Sequence, residues 1–256
     1  MILGVDEVGM GALAGPCTVA GVILEDQIDG IRDSKLIRED MRYSLADEIE
    51  AKAQFCFKVS RPNTAIDKDG LDLTWGTCVQ EIVAKAREKF PDCEVVLDGN
   101  RIPPGIDRVT ALVKADATVY QVSAASIVAK AHRDRIMAGF DAQYPGYEFT
   151  VNKGYPTKKH LEALKRLGPC PVHRMSYRPV RDPTHPIPRE EYAFDAGRAG
   201  KWLEAMKDIA TNPYASDWEK VYVQSMALQL KEGKKLSSRQ MFFLSAIARR
   251  RYHVQV

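Results

Sequence analysis

The hydrophobic pattern divides the chain into short unbroken apolar runs and longer stretches with helical spacing. Ile2 to Glu7 is the first run: it stops on two adjacent carboxylates, Asp6 and Glu7, and Gly9, Met10 and Gly11 follow. Apolar runs of this length read as buried strands. Cys17 to Leu24 (CTVAGVIL) reads as a second strand, joined to the first by a glycine-rich turn containing Pro16. Asp33-Ser34-Lys35-Leu36 is a turn that opens a helix, and a longer helix follows near 39–52. Gln54 to Val59 (QFCFKV) is a third strand. From Leu71 to Lys89 the apolar residues Leu71, Trp75, Val79, Ile82, Val83 and Ala86 keep close to helical spacing, which predicts an amphipathic helix. Cys93 to Leu97 and Val109 to Val113 are the last two strands, one ending at Asp98 and the other near Asp116. A long helix over 119–139, a Tyr/Pro/Gly loop at 144–147 and a short helix over 157–167 follow. With hairpins first, this order predicts an α/β fold: a mixed sheet flanked by helices, not a purely parallel doubly wound one.

The pattern breaks at 182–194, which hold three prolines and no periodicity. That stretch reads as a linker between a main domain, 1–181, and a small all-α module, 195–256. In the module, Ser216-Asp217-Trp218-Glu219 and Ser237-Ser238-Arg239-Gln240 both fit capping boxes. Each precedes an amphipathic run, Val221 to Leu230 and Met241 to Ile247, with Gly233 between them as a C-cap or turn.

Charge sharpens this division. The chain carries a formal +3, yet Asp195 to Val256 holds eleven Lys/Arg against six Asp/Glu, a net of +5, so the basic excess sits in the module. Two readings stand for it: basic helices, ending in Arg249-Arg250-Arg251, that hold a duplex or recruit a partner, or a solvated basic face on a structural unit. The 256 residues suffice for one full core and a small appendage. No apolar run is long enough for a bilayer and the N-terminus enters a strand directly, so a cytoplasmic protein with no membrane partner is expected. Five cysteines without a CxxC pair suggest neither a disulfide framework nor a zinc site.

The strand-ending acids carry the candidate chemistry. Strand ends of an α/β sheet converge on one edge, the usual place for a site. Asp6, Glu7, Asp98 and Asp116 would gather there, where mutual repulsion and burial raise carboxylate pKa values unless a cation compensates. Hard divalent cations with oxygen ligands are the natural compensation. A pair of them suits in-line displacement at a phosphate. Against this stands the ordinary use of Asp in turns, a reading strong for one acid and weaker when three strands end alike. On the long helix, the spacing of Ser126, Lys130 and Arg133 puts them on one face, read as phosphate contacts, internal salt bridges or a solvated surface. Lys153 to His160 joins a glycine, Tyr155 and three lysines. Tyr155 suits contact with a ribose 2′-hydroxyl or plain local packing.

The stretches GVDEVGMGALAGP (4–16), DSK (33–35), VVLDGN (95–100), KAD (114–116), SAASIVAKAHRDR (123–135), YPGYEF (144–149), NKGYPTKKHLEAL (152–164) and GPCPVHRMSYRPV (168–180) occur in one order over about 1–181. As a set they closely resemble the ribonuclease HII family. The resemblance implies an RNase H-like fold and hydrolysis of the RNA strand of RNA/DNA hybrids. It also implies incision 5′ to ribonucleotides embedded in duplex DNA, in replication and repair, leaving 3′-hydroxyl and 5′-phosphate ends. By the same resemblance Asp6, Glu7, Asp98 and Asp116 match the acids that hold two Mg²⁺ or Mn²⁺ ions, and a monomer is expected. Tyr155, with the Gly9-Met10-Gly11 loop, matches the sensor of the 2′-hydroxyl. Ser126, Lys130 and Arg133 match polar positions offered as nucleic-acid contacts.

One position departs from the pattern: the family usually carries Gly-Arg-Gly where this chain has Gly9-Met10-Gly11. A guanidinium–phosphate hydrogen bond is worth about 1.5–3 kcal/mol, so retained hydrolysis with altered junction preference is expected. Type III relatives also lack that arginine but carry a separate N-terminal substrate-binding domain; this chain starts at the catalytic strand, which favours type II. Two other readings remain beside the nuclease: a binding protein that holds hybrid duplexes, and another two-metal nuclease of the same fold.

Overall fold

In the computed structural model, which describes residues 1–31, 37–181, 199–211, 217–236, 240, 241 and 244, five strands pair into one sheet. They are β1 (Ile2–Val8), β2 (Cys17–Ile23), β3 (Phe55–Arg61), β4 (Glu94–Asp98) and β5 (Val109–Leu112). Their order is β3-β2-β1-β4-β5, antiparallel from β1 to β3 and parallel from β1 through β4 to β5. This is the mixed sheet that the pattern predicts. The central position of β1 explains its unbroken apolar run: both of its faces are covered.

The helices are α1 (Glu39–Lys52), α2 (Asn63–Asp69), α3 (Leu71–Lys89), α4 (Tyr120–Gln143), α5 (Phe149–Asn152), α6 (Lys158–Leu167) and α7 (Arg178–Arg181). Alternation along a strand sends successive side chains to opposite faces. Leu3, Val5, Cys17 and Val19 pack with Trp75, Val79 and Ile82 of α3 on one face. Ala20, Val22 and Leu24 pack with Leu45 and Ile49 of α1 and with Ala125 and Val128 of α4 on the other. Helix α4 lies directly on β1 at Gly4, where a Cβ would come within 2.2 Å of the Gln121 backbone. That close approach requires glycine and sets the distance from α4 to the strand that carries Asp6.

Three differences from the predicted elements have tertiary causes. Helix α4 continues past Gly139 to Gln143 because Phe140 packs against the apolar cluster of Leu13, Met137, Phe149 and Leu164. Helix α2 has no predicted counterpart; its Asn63 amide donates to the carbonyls of Pro171 (2.9 Å) and His173 (2.8 Å), partners far along the chain. The short α5 and α7 are likewise held by the Leu13 cluster through Phe149 and Val180.

The chain divides into two units, Met1–His185 and Pro186–Val256. In the second, α8 (Ala199–Thr211) and α9 (Asp217–Lys231) close on Trp202, Met206, Ile209, Val223, Met226, Leu236, Met241 and Leu244. Helix α8 was missed in the sequence, although Trp202, Ala205, Met206 and Ile209 keep helical spacing. Gly233, at φ +73°, ends α9, with the Lys234 amide donating to the Gln229 carbonyl (2.9 Å). The turn at 33–36, the linker at 182–194, the capping residues Ser216 and Ser237–Arg239, most of the predicted run 241–247 and Arg249–Arg251 lie outside the described residues.

Candidate active site

The parallel register pairs Val5 with Leu97, and one step further along each strand stand Asp6 and Asp98. Neighbours in register share a face, so both carboxylates reach the α4 side of the sheet. Asp116 arrives from a 3-10 turn, Ala115–Ala117, just beyond β5. That turn is tied to β4, because the Ala115 amide donates to Asp98 Oδ1 over 2.7 Å. The result brings Asp6, Asp98 and Asp116 together, with one carboxylate oxygen from each lying within 4.8 Å of the others. Asp6 and Asp116 are buried and Asp98 is half-buried.

Glu7 stands apart from this trio. As the next residue of β1 it faces α3, where its Oε2 accepts the Trp75 indole N–H over 3.2 Å. Burial raises Glu7 to about 7, opposed by Arg101 and the Trp75 bond and assisted by the charge of Asp98. Burial pushes Asp6 up to about 8, with the neighbouring Glu7 and Asp98 charges adding to it and the Ser126 hydroxyl bond opposing it. Ser126 is thus turned onto Asp6 as a support for the acid.

Buried carboxyls held above their ordinary range want either protons or a cation. A set of carboxylate oxygens alone, converging at this spacing, fits a hard divalent ion such as Mg²⁺ or Mn²⁺ and offers nothing to a softer metal. A pH dependence follows. Between about pH 4, near the ordinary carboxylate value, and about pH 8 Asp6 binds more of a proton in the metal-free fold than in the unfolded chain, and Glu7 does the same up to about pH 7. The contribution of these two acids to stability therefore falls as pH rises through that window. Added Mg²⁺ should raise the melting temperature more at pH 8 than at pH 5.5, with proton release on binding; calorimetry in two buffers of different ionisation enthalpy checks both.

The loop after β1 is held by two buried arginines. Gly9 has φ +89°, and a Cβ there would come within 2.3 Å of Arg133 Nε. Arg133 donates to the carbonyls of Pro16 (3.0 Å), Ala14 (3.0 Å) and Lys153 (2.8 Å). It is fully buried, and of the roles open to it the internal one is what its surroundings supply: this side chain is spent on backbone oxygens that no local partner satisfies. Arg174, also fully buried, donates to the carbonyls of Gly9 (2.7 Å), Met10 (3.1 Å), Gly15 (3.1 Å) and Pro16 (3.2 Å). Sequence reasoning passed over Arg174, which lies inside the quoted stretch 168–180 without a spacing signal of its own. Lys130 is half-buried on α4, and its charge lowers the neighbouring Asp134 carboxyl against the larger effect of burial.

Tyr155 meets the same loop. Its hydroxyl oxygen accepts the Gly9 amide over 3.1 Å, its ring lies 5.4 Å from the Arg133 guanidinium, and the preceding Gly154 carbonyl accepts from Leu13 (2.7 Å). The structure thus joins Tyr155 to Gly9. Met10 packs its side chain toward the α3 core, with Cys17 Sγ 3.6 Å from its sulfur, while Arg174 holds its carbonyl. Gly11 has nothing within 4 Å of where a Cβ would stand, so open space lies before the loop.

A five-stranded mixed sheet with aspartates converging at the carboxy edge of its parallel strands defines an RNase H-like nuclease. Residues 3–180 match the family model described as Ribonuclease HII, and the chain belongs to that family. A Ribonuclease HII of Nitrosococcus oceani is 44% identical over 183 residues, 70% of this chain and 90% of that protein. The ribonuclease HII in the PCNA:RNase HII complex from Archaeoglobus fulgidus is similar at 26% identity and TM-score 0.55, covering 65% of this chain and 86% of that one. Bst-RNase HIII, solved in complex with Mn²⁺, shares the fold at 16% identity and TM-score 0.51, over 72% of this chain and 69% of its own. The protein is accordingly a ribonuclease H, an endonuclease acting on RNA/DNA hybrids.

Proposed function

We propose that the protein is a metal-dependent ribonuclease that also incises duplex DNA 5′ to embedded ribonucleotides, leaving 3′-hydroxyl and 5′-phosphate ends. The convergence of the Asp6, Asp98 and Asp116 oxygens within 4.8 Å carries this reading. Those three, with Glu7 approaching from the α3 side, would hold Mg²⁺ or Mn²⁺. A pair of such ions supplies an activated water and stabilisation of the leaving oxygen. The protein's own groups aim the acids: the Glu7 amide donates to Asp6 Oδ1 (2.8 Å), the Ala115 amide to Asp98, and the Trp75 indole to Glu7.

Selection of ribose falls to Tyr155 and the Gly9–Gly11 loop. A phenol oxygen that accepts the Gly9 amide keeps its own proton for donation, and a 2′-hydroxyl oxygen is the acceptor that distinguishes RNA from DNA. Open space before Gly11 leaves room for a sugar–phosphate backbone. Tyr155→Phe should lower kcat/KM on a duplex with one ribonucleotide by about tenfold, the worth of one hydrogen bond. The comparison is with a run of RNA, each substrate in Mg²⁺ and in Mn²⁺. Unchanged ribose dependence would move the sensing elsewhere, and hybrid binding without cleavage would mark a binding protein.

A further inference from the structure

His160 and His173 lie fully buried behind Tyr155. Their Nε2 atoms are 3.0 Å apart, so one donates and the other accepts. The outer nitrogens decide which. The Cys170 amide points at His173 Nδ1 over 2.9 Å, making that nitrogen an acceptor and placing the ring proton on Nε2. The Cys170 thiol sulfur (3.1 Å) and carbonyl oxygen (3.3 Å) surround the same nitrogen, but a proton on Nδ1 would face the amide proton head-on. At the other end, His160 Nδ1 lies 2.9 Å from the Tyr155 carbonyl oxygen, which only accepts. His160 therefore carries its proton on Nδ1 and accepts at Nε2.

Both ends reach the same direction independently. The bonds run from the Cys170 amide to His173, from His173 to His160, and from His160 to the Tyr155 carbonyl. A second proton on either ring would set two N–H groups against each other. Burial lowers both imidazoles, His173 to about 4 with His160 adding to the effect, so the relay is uncharged at neutral pH. Phe149 stands edge-on to His160 at 5.4 Å, and Tyr147 lies 5.0 Å from His173, which fixes the planes of both rings.

We propose that His160 and His173 are positioning residues for Tyr155: their fixed tautomers anchor its carbonyl and so hold its hydroxyl on the Gly9 amide. The consequence for catalysis rests on the reading that Tyr155 senses the 2′-hydroxyl. Two near-isosteric substitutions separate the bonds. His160→Asn keeps an N–H near Nδ1, facing Tyr155; His160→Gln can keep an acceptor oxygen near Nε2, facing His173, and loses the bond to Tyr155.

The test combines ¹⁵N spectra of the histidines, the Gly9 amide resonance, and kcat and KM on a duplex with one ribonucleotide. The wild type should show His173 protonated on Nε2 and His160 on Nδ1. His160→Gln should displace the Gly9 resonance and lower kcat by about tenfold or more with KM within about twofold, as misplacement of a positioned group does. His160→Asn should recover most of both. Reversed tautomers or a charged ring in the wild type overturn the proposal, and so do equal effects of Asn and Gln or a Gly9 resonance that moves in neither. The wild-type spectra decide alone if a variant does not fold. If Tyr155→Phe leaves ribose dependence intact while Gly9 still follows the Asn/Gln pattern, positioning stands and the sensing role of Tyr155 is what fails.

Discussion

Asp98→Asn should abolish hydrolysis while leaving the fold intact. Asparagine keeps an oxygen where Asp98 accepts the Ala115 amide at 2.7 Å, so the turn that carries Asp116 stays tied to β4. What is lost is one charge among carboxylates that lie within 4.8 Å. Metal-assisted phosphodiester cleavage draws several kcal/mol from ions held in place, and each 1.36 kcal/mol is a tenfold change, so a loss of about 10³-fold or more is expected. The same substitution removes a charge that raises both Asp6 and Glu7. The metal-free variant should therefore melt no lower than the wild type at pH 8, and its gain from Mg²⁺ should shrink. Turnover assays with melts in EDTA and in Mg²⁺ read both effects; wild-type turnover would remove Asp98 from the site.

Arg174 should dominate stability as Asp98 dominates activity. Its guanidinium reaches four carbonyls, those of Gly9, Met10, Gly15 and Pro16, and also the Tyr177 hydroxyl at 3.2 Å. Arg174→Met takes the charged donor from all four in a dry interior, leaving the Gly9, Met10 and Pro16 oxygens only the Ala12 amide, the Tyr177 hydroxyl and Arg133. Breaking a buried charged network costs about 3–5 kcal/mol, and at about 2–4 °C per kcal/mol for a domain of this size the melting temperature should drop by about 6–20 °C. Arg174→Lys should recover little, because one ammonium cannot span carbonyls that a planar fork spans. The loop would also lose its hold on Gly9, so residual folded enzyme should show raised KM. A melt within 2 °C of wild type, roughly the effect of 1 kcal/mol or less, would mean that water replaces the arginine.

The contrast among the polar residues of α4 shows why some of the site was legible and some was not. Asp6, Asp98 and Asp116 were found because each ends a strand or follows one closely, and strand ends are local features of the apolar pattern. Ser126 and Arg133 fall on one helix in the sequence, but their spacing leaves their partners open. Helical spacing states which residues share a face, but not what that face meets. Arg133 meets the carbonyls of Pro16 and Ala14, separated from it by 117 and 119 positions. Met10 was legible as a departure from the family, while the direction of its side chain, into the α3 core, was not.

By itself, the sequence determined the mixed α/β architecture, the strand-ending acids and the family. Apolar periodicity, strand termination and contiguous motifs are all written within a few neighbouring residues. Only the tertiary structure decided that Asp6 turns toward α4 and Glu7 toward α3, that two arginines face inward on the loop after β1, and that His160 reaches the Tyr155 carbonyl. Each of those outcomes depends on what the fold packs against the residue: the Trp75 indole against Glu7, the carbonyls of the loop after β1 against the arginines, and His173 against His160. A buried polar atom takes whatever partner the fold brings near it, because remaining unpaired costs more than the bond is worth in water.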